Sequence, residues 1–354
     1  LSYAGRSSGL KRQQVEEFRR YLCDEVIARS AELLKNNFHV RLNVAIVLAN
    51  LNLTDYHRKN GIPEQAYAKA AVPLLDILKT KTGGGLDEQL EAVKVEAALG
   101  LTRIALKGDN LNFNVATENL ENHIAKTLIT QLQDTNAHPW YQKRLLEALA
   151  ALDISNDVKT GKPIIIEALG EVLADPKRDF SVRARAAREF GRANLTASFN
   201  YEKFVFQVLL LEHEMALAYQ KAPDDFHWME SFGDLYFAFH PYTEDEIVLY
   251  EKAKGFPPGL NNAKRNPPST VKDAYQQMLP IVKHVVTQKG WEIPKDFNLG
   301  RQPNEKIPAK LITDLAAWLG EHQPASHKLD PSLPDLAPNA PVPGAKKTTA
   351  SASN

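Results

Sequence analysis

The sequence predicts an all-α fold of stacked helix pairs, closed by an irregular helical cap. Three observations lead there. Four ten-residue segments superimpose without gaps and place apolar residues at offsets of four and eight. Each follows a second apolar-periodic stretch and a polar break. Beyond them the chain turns aromatic-rich and then proline-rich. Offsets of four and eight fall on one stripe of a helix, so the pattern selects helix over strand.

The chain opens at Leu1, with Ser2 and Ala4 at a small-x-small spacing but no apolar run beside them. Residues 1–14 are expected to be flexible, and export would require a signal upstream of Leu1. From Val15 to Lys35 the pattern predicts one long opening helix. The repeated segments then run from Val40 to Ala49, Val93 to Thr102, Tyr141 to Ala150 and Val182 to Gly191. Their stripes read Val40, Val44, Leu48; Val93, Ala97, Leu101; Tyr141, Leu145, Leu149; and Val182, Ala186, Phe190. Alanine and glycine beside the stripe allow a neighbouring helix to approach closely. The stretches ahead of them are 26–34, 71–78, 124–132 and 164–173. The anchors are 53, 48 and 41 residues apart. Helix-pair repeats run at ~40–47 residues, so the first two spacings imply inserted loops.

After Tyr219 comes the most aromatic part of the chain, with Phe226, Trp228, Phe232, Tyr236, Phe237, Phe239 and Tyr242. Such a patch reads as core where irregular chain closes the end of an array, or as a ligand groove. Helices are predicted at 271–287 and 309–319. The domain reading is therefore a flexible segment 1–14, a helix-pair array 15–220, a capping region 221–323 and a tail 324–354. The tail is rich in proline, alanine and serine, has no aromatic residue, and is expected to be disordered.

The motif of an apolar helix, a polar break and V-R-x-x-A-x-x-x-L resembles a HEAT repeat. It is best kept from Val40-Arg41 to Leu48 and from Asp175 to Phe190. It departs at Tyr141-Gln142 and at Gly83-Gly84-Gly85. The resemblance is to bacterial-type HEAT-repeat (armadillo-like) α-solenoid proteins. It implies a right-handed α-α superhelix whose second helices line a concave wall. Function does not follow from this fold, because such arrays serve many unrelated roles.

Composition narrows the field. Hydrophobic residues make up 44% and charged residues 24%, the balance of a globular chain. Forty-three basic residues match forty-three acidic ones, which argues against a dedicated nucleic-acid binder and against adsorption to an anionic membrane. The most apolar run, 204–219, is interrupted by Gln207, Glu212, His213 and Glu214, so the chain reads as soluble. A single cysteine, Cys23, excludes an internal disulfide and reads as a small packed residue.

The chemistry-bearing candidates are few. His213-Glu214 opens like a zincin motif, but Leu217 stands where the second histidine belongs. Residues from His213 to His240 form the one region where a metal-dependent enzyme could be sought. Asp153 to Asp157 mimics a calcium loop, yet Val158 and Ile164 replace its glycine and glutamate, so it reads as a turn. Gly83-Gly84-Gly85 reads as a flexible loop or an anion cradle. No catalytic constellation and no cofactor motif emerges.

One cluster stands out. Val182, Ala186, Phe190 and Ala193 fall within an arc of ~80° at 100° per residue, and Arg185, Arg188 and Arg192 within a separate arc of ~60°. These arginines are the candidate partner-binding residues, meeting carboxylates or phosphates, or else they form a solvated or internally paired face. The expected function is a non-catalytic scaffold or adaptor that binds a protein or peptide along the concave face. An alternative is a HEAT-like nucleic-acid binder resembling the alkylpurine DNA glycosylases, using an arginine-lined groove.

Overall fold

The computed structural model describes residues 12–55, 64–80, 87–115, 117–241, 259–288 and 304–336. They fold mostly into α-helices and divide into two compact units, residues 12–161 and 162–336. The Gly83-Gly84-Gly85 loop, Tyr242 and residues 337–354 lie outside the described residues.

Unit one holds α1 (Arg12–Leu33), α2 (Phe38–Ala49), α3 (Ala71–Lys79), α4 (Asp87–Lys107), α5 (Leu120–Leu132) and α6 (Pro139–Ala151). The polar breaks act as helix starts. Asn37 accepts a hydrogen bond from the Val40 N–H, and His138 caps α6 ahead of Pro139. These side chains satisfy donors that a helix N-terminus leaves open. The first, second and third repeated segments lie on α2, α4 and α6, the second helix of each pair. Within the unit, α1, α3 and α5 pack in sequence, and so do α2, α4 and α6, giving two layers of helices. Ala97, Leu101, Leu145 and Leu149 are wholly buried along the stripe. Gly100 is needed on α4, because a Cβ there would stand 2.8 Å from the Ala49 Cα and 2.7 Å from Leu74 Cδ1.

The long spacings correspond to two hairpins, β1 (Asn52–Thr54) with β2 (Gln65–Ala66), and β3 (Asn114–Val115) with β4 (Glu118–Asn119). Charged side chains fasten the first hairpin. Arg19 donates to the Leu53 carbonyl and pairs with Asp55. Arg103 reaches Glu64 and the Ala49 carbonyl, and Lys107 takes the other Glu64 oxygen. Burial raises the proton affinity of Glu64, but these cations outweigh it and hold the carboxyl at about 2. Cys23 is buried beside the hairpin, its thiol pushed up to about 11 by burial, with Asp24 adding to the effect.

Unit two holds α7 (Ile164–Ala174), α8 (Phe180–Phe190), α9 (Tyr201–Tyr219), α10 (His227–Phe239), α11 (Ser269–Val286) and α12 (Ala309–Glu321). The fourth repeated segment is α8, packed on α7. Helices α9 and α10 then pack on α7 and α8 in the same order, so the start of the region expected as an irregular cap is a regular helix. Gly259 returns the chain to this layer with φ +89°, where a Cβ would collide with the His240 carbonyl.

The expected tail begins too early at Pro324. Residues 324–336 are placed against unit two, with Leu329, Asp330, Leu333 and Leu336 buried. Composition alone misled here, because the acid at the centre of the segment finds hydrogen-bond donors elsewhere in the chain.

Candidate functional site

Helix α8 is set by Asp179, which accepts from the Ser181 N–H and hydroxyl and caps the helix. From that start Val182, Ala186 and Phe190 point into the core, wholly buried. The arginines emerge on the other arc, but they do not face an open wall. They meet α10. Arg185 donates through Nε to Asp234 Oδ2 at 2.8 Å and through Nη2 to Glu230 Oε1 at 3.2 Å. Arg188 Nη1 donates to the second Asp234 oxygen at 2.9 Å and lies 5.0 Å from the centre of the Phe237 ring. Arg192, just past the end of α8, pairs with Glu189, a wholly buried carboxylate of that helix, and not with α10.

Of the two sequence readings, a partner-facing stripe or an internally paired face, the arrangement matches the internally paired one. Arg185 is 8% exposed and Asp234 2%. Two guanidinium groups clamp one buried carboxylate, with charge-assisted bonds that fix α8 against α10. Burial lowers the proton affinity of Arg188, and Asp234 and Glu189 more than restore it. The neighbouring Arg183 is also inside, donating to the Leu173 carbonyl and to Glu214 at 2.7 Å. The sequence carried a signal for Glu230 and Asp234: two carboxylates four apart in an aromatic helix otherwise poor in charge.

The histidine region does not assemble. His213 is nearly buried on α9, and burial lowers its proton affinity while Glu214 opposes the shift. His227 opens α10 in solvent, and His240 stacks on Tyr236 at 4.6 Å, its Nδ1 2.8 Å from the tyrosine hydroxyl. Among the described residues no group of three histidine, cysteine, aspartate or glutamate side chains is placed to hold a metal ion. The aromatic patch is mainly core, with Phe232 and Phe239 wholly buried and Trp228 donating to the Ala222 carbonyl. Phe226 alone of those aromatics that α10 and its flank describe is largely exposed, at 70%. Glu212 on α9 is wholly buried and neither of its oxygens has a hydrogen-bond partner among the described residues. Burial alone pushes its proton affinity well up. Asp157 ends the Asp153 to Asp157 stretch and starts the turn after it, accepting from the N–H groups of Lys159 and Thr160 and pairing with Lys126.

Unit one carries two surface depressions. An apolar groove of about 270 Å³ lies between α1 and α2, lined by Val26, Leu33, Val40 and Val47. A mixed cavity of about 380 Å³ is lined by Arg41, Asp76, Thr80 and Ile77 among others. Ile46 and Val47 on α2 and Trp140 on α6 stand in solvent, as do Phe18, Tyr21 and Leu33 on α1. Among the described residues no helix is long and apolar enough to cross a membrane. Comparison of the chain with protein-family models, with curated proteins and with solved structures gave no match.

Proposed function

We propose that the chain is a non-catalytic interaction scaffold, in which HEAT-like helix pairs form right-handed superhelical arrays that bind a protein or peptide. The observation that supports it is the apolar surface of the second-helix layer, Ile46, Val47 and Trp140, standing in solvent on helices whose other face is packed. Exposed apolar side chains on a helical layer suit a partner that removes them from water, at about 25 cal/mol per Å² of apolar surface. The engaged arginines weigh against the nucleic-acid alternative, since their charge is already balanced by Asp234, Glu230 and Glu189.

The test is recovery of a stoichiometric partner by the full chain, compared with an Ile46→Glu/Val47→Glu/Trp140→Ala variant of unchanged helical content. The expected result is one partner, lost in the variant. Full retention of the partner by the variant, or no stoichiometric partner at all, would overturn the reading. Affinity for duplex DNA that falls steeply between low and moderate salt would favour the alternative.

A further inference from the structure

The stretch from Lys328 to Leu336 is seated in unit two as a turned peptide is seated on a receptor. Its bed is Gly170 of α7, where the missing Cβ leaves room for the Leu329 side chain, together with the connection from α8 to α9. Asn200 reads the main chain. Its N–H donates to the Leu329 carbonyl at 2.8 Å and its side-chain amide to the Lys328 carbonyl at 2.9 Å. The side-chain oxygen of the same residue caps α9 through the Lys203 N–H. Thr196 and Ser198 read the acid, each donating a hydroxyl to Asp330 Oδ2 at 2.7 Å. The other carboxylate oxygen accepts from the Ser332 N–H and hydroxyl, at 3.0 and 2.6 Å.

The segment's burial alternates with its chemistry. Leu329, Asp330, Leu333 and Leu336 are buried, while Pro331, Ser332, Pro334 and Asp335 face solvent. Burial raises the proton affinity of Asp330, but the hydrogen bonds from Ser332, Ser198 and Thr196 outweigh it and hold the carboxyl at about 2. The acid is thus ionised and fully received. Main-chain hydrogen bonds for affinity, with an apolar pocket and a charge reader for specificity, are the parts of a peptide-recognition site. The segment itself is neither helix nor strand, and its internal main-chain bonds are turns, from Leu333 N–H to the Asp330 carbonyl and from Leu336 N–H to the His327 carbonyl.

We propose that this surface recognises partner peptides of the pattern Leu-Asp-x-Ser-Leu that turn at the aspartate, and that residues 328–336 are a resident ligand which such a peptide displaces. The inference rests on the scaffold reading and deepens it, by naming one surface and the chemistry of its partner. A tethered segment acts at an effective concentration of about millimolar, so the resident ligand sets a threshold that a partner must exceed.

The experiment uses the full chain and a fluorescent synthetic peptide covering residues 326–336. An Asp330→Ala chain, whose own segment has lost its anchor, should bind the peptide at least tenfold more tightly than the wild-type chain. A peptide with the same Asp330→Ala change should bind at least tenfold more weakly, and so should the wild-type peptide to an Asp330→Ala chain that also carries Thr196→Val and Ser198→Ala. Circular dichroism reports whether the variants fold. Hydrogen exchange on the wild-type chain needs no variant at all: saturating peptide should speed exchange at the Leu333 and Leu336 amides and leave α9 unchanged. Equal affinity for the two peptides, no binding by a folded Asp330→Ala chain, or exchange in the segment that ignores the peptide would overturn the proposal. Such a failure leaves partner recovery through Ile46, Val47 and Trp140 untouched, because those residues lie in unit one.

Discussion

The junction of α2 with α4 and the junction of α8 with α10 join neighbouring second helices by different means. At the first, Gly100 of α4 meets the backbone of Ala49, and the surrounding side chains are apolar. At the second, Gly191 approaches the Ala238 carbonyl just as closely, but beside it Asp234 is clamped by Arg185 and Arg188. Small residues set how near the helices come in both cases. The ions add something that methyl groups cannot: a directional pair of bonds that fixes how α10 is rotated and shifted along α8. A buried ion pair is a poor source of net stability, yet breaking one is costly, because the orphaned charge stays buried.

That difference predicts the largest mutational effect. Asp234→Ala removes the buried carboxylate that Arg185 and Arg188 share and is expected to cost about 3–5 kcal/mol in urea unfolding. Replacing the trio together, Arg185→Met, Arg188→Met and Asp234→Leu, should recover most of the loss. If the triple variant is as unstable as Asp234→Ala, the clamp contributes net stability and the contrast between the junctions collapses. Next in size is Gly100→Ala. Its methyl group meets the Ala49 backbone at 2.8 Å as well as the Leu74 side-chain tip at 2.7 Å, and since the backbone cannot swing aside, overpacking of that kind costs about 1–3 kcal/mol, more than the roughly 1 kcal/mol that alanine gains over glycine in a helix.

Glu212 sharpens the comparison further, since it is a buried charge site with no clamp. The folded chain keeps its proton while the unfolded chain releases it above about pH 4.3, so this residue costs stability increasingly as pH rises. Melting temperatures of wild type and Glu212→Gln should be similar near pH 4 and diverge towards pH 7, with the variant higher. A constant gap would mean the carboxyl is not held protonated. The smallest effect is Gly233→Ala on α10. Nothing lies within 4 Å of the added methyl, so the change should stabilise by about 0.5–1 kcal/mol, next door to the residue whose loss costs most.

The two junctions also mark what could be read in the sequence. Helices α2, α4, α6 and α8 were legible because their apolar stripe is local, repeating within ten residues, and Gly100 lies inside the second copy. The inserted hairpins were legible only as excess spacing. The clamp was not legible, since Arg185 and Asp234 are 49 residues apart and periodicity carries no information about which charged arcs meet. Residues 324–336 were misread for a related reason. Their composition lacks aromatics, but three leucines and one aspartate suffice when Gly170, Thr196, Ser198 and Asn200 supply the other half of the contact.

The same contact orders events during synthesis. Asn200 reaches the Lys328 carbonyl across 128 residues of sequence. A ribosome adding about 5–20 residues per second takes roughly 6–26 seconds to cover that distance. At its start α7 and α8 are already made and α9 follows first, while Gly170, Thr196 and Ser198 have no Leu329 or Asp330 to receive. Nascent chains therefore carry an open acceptor facing outward in the crowded space around the polysome. Any neighbouring chain further along in translation presents the matching segment first, so closure in cis is a race against exchange in trans, and the six residues linking Glu321 to Lys328 keep the cis end close.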